Sequence, residues 1–169
     1  MNVIFLDYDG VVNTPQWTKK ADGTFNFRYN FPEDGKVNDW QSVQWVSEFC
    51  QRYGYSIVVS SIWRTERNYK ECLVNGGLRN GIEVLGRTPD CGAKGDEIAT
   101  YLREHPEITG YLIFDDETDM SCYFSENKHY TFKNMDRLVK CQTDKGFKQA
   151  EFIQAASLHL AFNAGQREP

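Results

Sequence analysis

The chain has 169 residues, and its 40% hydrophobic and 25% charged residues are typical of one globular domain with its own core. Its net charge of −5 argues against broad binding of duplex nucleic acid, which requires a basic face, but not against a small phosphorylated substrate held at one positive spot. The five cysteines are scattered and include no CxxC pair, which excludes a disulfide framework or zinc site and predicts reduced thiols of a cytoplasmic protein.

The first predicted elements are a buried strand and a hairpin. Val3–Leu6 is a short apolar run of the kind found in the central strand of a parallel sheet. Residues 14–40 then alternate aromatic and polar residues around Asp22-Gly23, which predicts a β-hairpin. The two patterns together place a hairpin directly after the first strand of a sheet.

After the hairpin, helices and strands alternate along the chain. In chain order we predict a helix from Asn38 or Asp39 to Gly54, a strand at Tyr55–Ser60, a helix at Thr65–Val74, a strand at Ile82–Leu85, a helix at Lys94–Glu104, a strand at Gly110–Phe114, edge strands at His129–Phe132 and Leu138–Cys141, and a last helix at Phe147–Phe162 with Phe147, Ala150, Ile153 and Leu160 on its apolar face. This order predicts an α/β fold with a mainly parallel sheet and helices on both faces. We expect one domain over residues 1–163 and a tail at 164–169.

Polar side chains follow three of the predicted strands, at the point where each strand ends. The residues concerned are Asp7 and Asp9, Ser60 and Ser61, and Asp115 and Asp116, with Asp119 close behind. Because the carboxyl ends of parallel strands meet at one edge of a sheet, we expect these groups to converge there. Several carboxylates in a cleft of low dielectric constant repel one another, and Mg²⁺, which prefers oxygen ligands, removes that repulsion.

A cation is also expected at this edge. Lys94 lies in the first turn of a predicted helix, where the helix dipole disfavours a positive charge, so its place is better explained by an anion nearby. The N-terminus of that helix also favours phosphate. Arg79 and Arg87 are rival candidates for the same role.

Four motifs identify a family resemblance. DYDGVVN, VVVSS, the Lys94 of KGDEI, and IFDDETD occur in the order of the four motifs of the haloacid dehalogenase-like (HAD) phosphohydrolases, over roughly residues 3 to 150. SSIWR and TDKGF also look like the small HAD domains of RNA-repair proteins and of stand-alone phage and bacterial phosphatases. The resemblance implies a Rossmannoid three-layer sandwich with a minimal cap, in which residues 14–40 form only a hairpin flap.

The resemblance also implies catalytic roles. Asp7 would attack phosphorus as the nucleophile, and Asp9 would protonate the leaving oxygen and then deprotonate water. Ser60, assisted by Ser61, would hydrogen-bond a phosphoryl oxygen, while Lys94 would neutralise the phosphate.

Further roles concern the metal and the substrate. By the same resemblance, the residues that would bind Mg²⁺ are Asp7, Asp115, Asp116 and the backbone carbonyl of Asp9, and Asp119 is a further candidate. Gly10 would allow a tight turn beside the substrate, and Arg64 is a candidate for substrate contact. The flap aromatics Trp17, Phe25, Phe27, Tyr29 and Phe31 would either cover the site or stack on a base.

The expected function is therefore that of a Mg²⁺-dependent phosphatase acting through an aspartyl phosphate, with a nucleotide or a nucleic-acid end phosphate as its substrate. One alternative is a phosphatase of small sugar or metabolite phosphates. Another is a regulatory domain that keeps the phosphate and metal site but reacts slowly. The sequence shows no signal peptide and no apolar run near the about 20 residues of a membrane span, so we expect a cytoplasmic protein without a membrane partner.

Overall fold

The computed structural model describes residues 1–19, 25–28, 37–65 and 68–164. In chain order the elements are β1 (Asn2–Leu6), β2 (Gln16–Lys19), β3 (Phe25–Arg28), α1 (Trp40–Tyr53), β4 (Tyr55–Val59), a 3-10 turn (Ile62–Thr65), α2 (Tyr69–Asn75), β5 (Val84–Arg87), α3 (Lys94–Glu104), β6 (Gly110–Asp115), α4 (Tyr130–Asp136), β7 (Leu138–Lys140) and α5 (Gln149–Ala164). No helix in these described ranges is both long and apolar enough to cross a membrane.

The core of the molecule is a five-stranded sheet in the order β5-β4-β1-β6-β7, with every neighbouring pair parallel. β1 occupies the centre because its residues from Val3 onward are fully buried on both faces, as a central parallel strand requires. The α/β fold predicted from the alternation of elements is thus confirmed.

Helices cover both faces of the sheet, as expected. On one face, Ile4 and Leu6 of β1 pack in a core with residues of α1, α2 and α5. On the other face, Val3 and Phe5 pack against α3. Alternate residues of β1 thus point into two separate cores, which gives the three layers of the fold.

The two strands of the predicted hairpin are present as the antiparallel pair β2–β3, in which Trp17 lies opposite Phe27, while its predicted turn at Asp22-Gly23 lies outside the described residues. The side chains of both strands, together with Tyr29 and Phe31, lie outside the described residues. The role of the flap aromatics therefore stays a prediction.

The ends of α1 follow the sequence signals. An oxygen of Asp39 accepts the backbone N–H of Ser42, which is the N-cap arrangement. Gly54 ends the helix with a left-handed φ of 71°, and its N–H donates to the carbonyl of Cys50.

One predicted element was wrong, and two others differ from the prediction in part. His129–Phe132 is not a strand; Tyr130–Asp136 is a helix, anchored where buried Asn134 accepts a hydrogen bond from the Tyr111 hydroxyl at 2.8 Å. The helix predicted at Thr65–Val74 begins only at Tyr69. In α5 the predicted apolar face is also incorrect, because Ile153 and Leu160 are exposed while Phe152 and Ala155 are buried.

Candidate active site

The ends of β1, β4 and β6 lie side by side at one edge of the sheet. Leu6, the last residue of β1, lies opposite both Val59 and Phe114. Beyond it, the Asp7 N–H donates to the Phe114 carbonyl at 3.0 Å, and the Ser60 N–H donates to the Leu6 carbonyl at 2.9 Å. Parallel register therefore places the acids and serines that follow these strands at the same edge, as predicted.

Three acids converge at this edge. Carboxylate oxygens of Asp7, Asp115 and Asp116 all lie within 4.8 Å of one another, and Asp7 and Asp115 are buried. Carboxylate oxygens are the ligands that hard divalent cations prefer, so the donor set is suited to Mg²⁺. The three acids lie at the ends of two neighbouring strands, and a bound divalent cation would offset the repulsion between them.

Lys94 supplies positive charge to this cluster from the first turn of α3. Its Nζ lies 2.9 Å from Asp7 Oδ2 and 2.7 Å from Asp115 Oδ2. Burial lowers the pKa of the Lys94 ammonium, but the charges of Asp7 and Asp115 outweigh burial and raise that pKa well above its usual value. Lys94 is therefore a fixed cation between two acids, as its position in the sequence indicated.

Asp115 differs from Lys94 because its surroundings favour its uncharged form. Burial, followed by the nearby charge of Asp7, raises the pKa of Asp115 to about 7, although Lys94 opposes the shift. One of its oxygens also accepts the backbone N–H of Glu117 at 2.9 Å. The Asp115 carboxyl thus takes up a proton much more readily than an exposed aspartate.

Asp116 is fixed by two contacts that involve other parts of the chain. The Thr143 hydroxyl donates to its Oδ2 at 2.7 Å. On its other side lies Gly10, which has a φ of +73° and where a Cβ would stand only 2.3 Å from Asp116 Cγ. Gly10 therefore allows the close approach of Asp116 to the turn after β1, besides permitting the turn itself.

Asp9 is partly buried and faces the same cleft, but its carboxylate is not one of the three clustered acids. Its Oδ1 accepts the Asn13 side-chain amide at 2.6 Å, and its Oδ2 accepts the Trp63 indole N–H at 3.1 Å. Burial raises the pKa of Asp9, while these two hydrogen bonds act in the opposite direction. A raised pKa suits the role of acid and base that the resemblance implies.

A cleft of about 540 Å³ opens over these residues. Its lining includes Asp7, Asp9, Ser61, Arg64, Lys94 and Asp116. Ser61, and not Ser60, lies on the wall: the Ser60 hydroxyl is buried and has no hydrogen-bond partner among the described residues. Both serines are only 1% exposed, so the contact of either hydroxyl with a phosphoryl oxygen stays a prediction.

Arg64 reaches the cleft wall but is engaged by the protein itself. One guanidinium nitrogen lies 2.6 Å from Glu97 and 3.1 Å from Asp90, and the residue is only 8% exposed. Arg64 is thus held within an ion-pair network at the edge of the cleft, and its contact with substrate stays a prediction.

The remaining charged candidates lie elsewhere. Asp119 is exposed and accepts hydrogen bonds from the Ser121 N–H and the Tyr123 hydroxyl. Arg79 pairs with Glu48 of α1 at 2.8 Å. Arg87 donates to the backbone carbonyl of Arg64. Of the three candidate cations, Lys94 is therefore the one that the fold places beside the acids.

Sequence reasoning did not predict the contacts that Asn13, Trp63 and Thr143 make with the acids, and it considered Trp63 only as a residue that packs or contacts substrate. Trp63 and Thr143 belong to SSIWR and TDKGF, two segments that the sequence marked without assigning a partner to either side chain. Their partners, Asp9 and Asp116, lie 54 and 27 residues away along the chain.

Comparison with known proteins supports the resemblance. A family model described as the HAD domain in Swiss Army Knife RNA repair proteins matches residues 3–152. The matched span includes all of the residues that line the cleft as well as Thr143. A search of curated proteins found no match.

Proposed function

The chain belongs to the family of HAD domains found in Swiss Army Knife RNA repair proteins, and from this membership we propose that it is a Mg²⁺-dependent phosphatase acting through an aspartyl phosphate on Asp7. The observation that carries the proposal is the arrangement around Asp7. Asp7 lines the cleft, and its carboxylate lies 2.9 Å from the Lys94 ammonium. Carboxylate oxygens of two further acids lie within 4.8 Å of it.

The proposed reaction has two steps, and both use Asp7 and Asp9. In the first, an Asp7 oxygen bonds to phosphorus as the bond from phosphorus to the leaving oxygen breaks, and Asp9 transfers its proton to that oxygen. In the second, Asp9 takes a proton from water as the water oxygen bonds to phosphorus. The bond from phosphorus to Asp7 then breaks, so that phosphate leaves and both acids are restored.

The residues that would hold Mg²⁺ are Asp7, Asp115 and Asp116, whose oxygens fit the preference of that ion. When bound, the ion would offset negative charge on the phosphoryl oxygens. Lys94 does the same from the N-terminus of α3, and its contacts with Asp7 and Asp115 keep its ammonium in place before substrate arrives.

We expect the affinity for Mg²⁺ to increase with pH. Because the pKa of Asp115 is raised to about 7, this acid keeps its proton below that pH, and the ion must displace it. Apparent affinity should rise about tenfold between pH 6 and pH 8. Calorimetric titration of the protein with MgCl₂ at both pH values measures the effect, and equal affinities would contradict the assignment of Asp115 as a ligand.

The two serines should respond differently to replacement by alanine. Ser61→Ala removes the hydroxyl of a residue that lines the cleft, and loss of one donor to a phosphoryl oxygen typically lowers kcat by about 10²-fold. Ser60→Ala removes a buried hydroxyl that has no partner among the described residues, so kcat should change by less than about threefold. Steady-state kinetics on p-nitrophenyl phosphate compares them, and a larger loss from Ser60→Ala would reverse the assignment.

For the substrate we propose a nucleotide or the phosphorylated end of a nucleic acid. The support is the description of the family, whose members lie in RNA repair proteins, together with an open cleft of about 540 Å³. The net charge of −5 disfavours long-range attraction of a polymer, so recognition of the end alone fits better than wrapping of a duplex.

A substrate panel tests this proposal. Turnover is compared on mononucleotides, on oligonucleotides with a 3′- or 5′-phosphate and on sugar phosphates, each with Mg²⁺ and with EDTA. We expect activity on the first two classes that EDTA removes. Activity confined to sugar phosphates would indicate a metabolite phosphatase, and a long-lived acyl phosphate without turnover would indicate a regulatory domain.

A further inference from the structure

Asp9 is held by two side chains that are themselves immobilised. Each of its carboxylate oxygens accepts one hydrogen bond, from Asn13 Nδ2 at 2.6 Å and from Trp63 Nε1 at 3.1 Å. Two donors on different oxygens fix both the position and the plane of a carboxyl group. The direction in which Asp9 can present a proton is therefore limited by these neighbours.

Trp63 cannot turn away without disturbing the core. Its side chain is 1% exposed, and its ring packs edge-on against Tyr8 with the centroids 5.7 Å apart. Tyr8 is in turn fully buried, and its hydroxyl donates to the carbonyl of Tyr69 at 2.6 Å. The indole N–H is thus preorganised towards Asp9.

Asn13 is equally fixed, by the turn after β1. Its N–H donates to the Tyr8 carbonyl at 2.7 Å, and its carbonyl accepts the Gly10 N–H at 2.8 Å. Asn13 is fully buried, so its amide has little freedom to seek another acceptor. The turn that carries Asp9 therefore also carries one of its two donors.

We infer that Trp63 and Asn13 are positioning residues for Asp9, holding its carboxyl in line with the leaving oxygen of the substrate. The inference rests on the proposed function and deepens it. Proton transfer needs the acid within hydrogen-bond reach of the leaving oxygen, and a misplacement of about 1 Å can cost on the order of 10²-fold in rate. By this account, Trp63 of the SSIWR segment positions Asp9 of the DYDGVVN motif.

Two esters of similar shape separate this role from a merely structural one. p-Nitrophenyl phosphate releases a phenolate that leaves without a proton, whereas p-nitrobenzyl phosphate releases an alkoxide that needs one. Trp63→Phe keeps an aromatic ring but removes the N–H. Because Asp9 also acts as the base when the aspartyl phosphate, which is the same for both esters, is hydrolysed, the comparison uses kcat/KM, which reports only the steps up to release of the leaving group. We expect kcat/KM to fall about tenfold or more on the benzyl ester and less than about threefold on the phenyl ester.

A double substitution shows whether the effect passes through Asp9. Asp9→Asn alone should give a larger selective loss on the benzyl ester, and adding Trp63→Phe to it should give no further selectivity, because coupled residues are not additive. Trp45→Phe, which alters a tryptophan of α1 that packs on Phe152, is the matched control and should show no selectivity between the two esters.

Other outcomes decide against the inference. Equal losses of kcat/KM on both esters in Trp63→Phe, with a wild type active on both, would overturn it and leave the proposed function standing. A wild type without phosphatase activity would overturn both. If thermal unfolding shows that Trp63→Phe is not folded, Asn13→Ala, which removes the other donor, is measured on the same pair under the same criterion.

Discussion

Asp7→Asn should lose phosphatase activity by at least about 10⁴-fold, since removal of a catalytic nucleophile has effects of that size or larger. The amide has nearly the shape of the acid but cannot attack phosphorus. The expected loss is in kcat and not only in KM, because the substituted group forms a bond in the reaction. Activity on p-nitrophenyl phosphate with Mg²⁺ measures it.

The matched control for this variant is Asp119→Asn. Asp119 is exposed, and its carboxylate accepts hydrogen bonds only from its own loop among the contacts described, at Ser121 and Tyr123. It should keep near wild-type turnover. Circular dichroism and thermal unfolding of both variants confirm the fold, and undiminished turnover in folded Asp7→Asn would refute the proposed nucleophile.

Lys94→Met should be almost as damaging. Methionine keeps most of the length of the lysine side chain but removes the ammonium that lies 2.9 Å from Asp7 and 2.7 Å from Asp115. Fixed charges at a phosphoryl group are a main source of rate enhancement, so we expect kcat to fall about 10³-fold. Calorimetry should still detect Mg²⁺ binding, because the three clustered acids remain.

A second lysine serves as the control for Lys94. Lys148 lies 2.7 Å and 2.8 Å from the two oxygens of Asp39, so it also neutralises an acid, but at the start of α1. Lys148→Met should therefore lower thermal stability, and only modestly because the ion pair is partly exposed. Turnover should stay within about threefold of the wild type, because Lys148 contacts Asp39 and none of the three clustered acids. A loss of turnover in Lys148→Met equal to that of Lys94→Met would show that the effect is structural.

The acidic cluster could be predicted from the sequence because it depends on strand ends alone. Once β1 and β6 are parallel neighbours in register, Asp7 and Asp115 must follow at the same edge whatever the details of packing. Lys94 was predictable for a similar reason, since α3 begins at the residue that the sequence indicated.

The contacts that hold the site depend on side-chain direction, which periodicity does not specify. Ser60 and Ser61 are adjacent in a sequence that fits either as the phosphate-binding serine, and of the two only Ser61 is among the residues that line the cleft. Thr143 reaches Asp116 from a loop 27 residues further along the chain, where no local pattern names an acceptor. Such long-range pairs follow from the packed fold and not from a motif.

Local propensity also gave the wrong secondary structure where tertiary contacts determine it. The residues His129–Phe132 have side chains that favour strands, but Tyr130–Asp136 is helical, and Asn134 at its centre is fully buried beside Tyr111. In α5 the apolar face was assigned from Phe147, which is buried but precedes the helix and stacks on Phe114. The buried side of the helix itself runs through Glu151, Phe152 and Ala155, so it does not continue from Phe147 at the predicted spacing.

Chemical trapping of the intermediate tests the central claim most directly. The protein is mixed with p-nitrophenyl phosphate and Mg²⁺, quenched within one turnover and treated with borohydride, which reduces an acyl phosphate of aspartate to homoserine. Peptide mass spectrometry should find homoserine at position 7, and not in samples with EDTA or without substrate. Homoserine at another aspartate, or unmodified Asp7 in a sample that releases nitrophenol, would contradict the account.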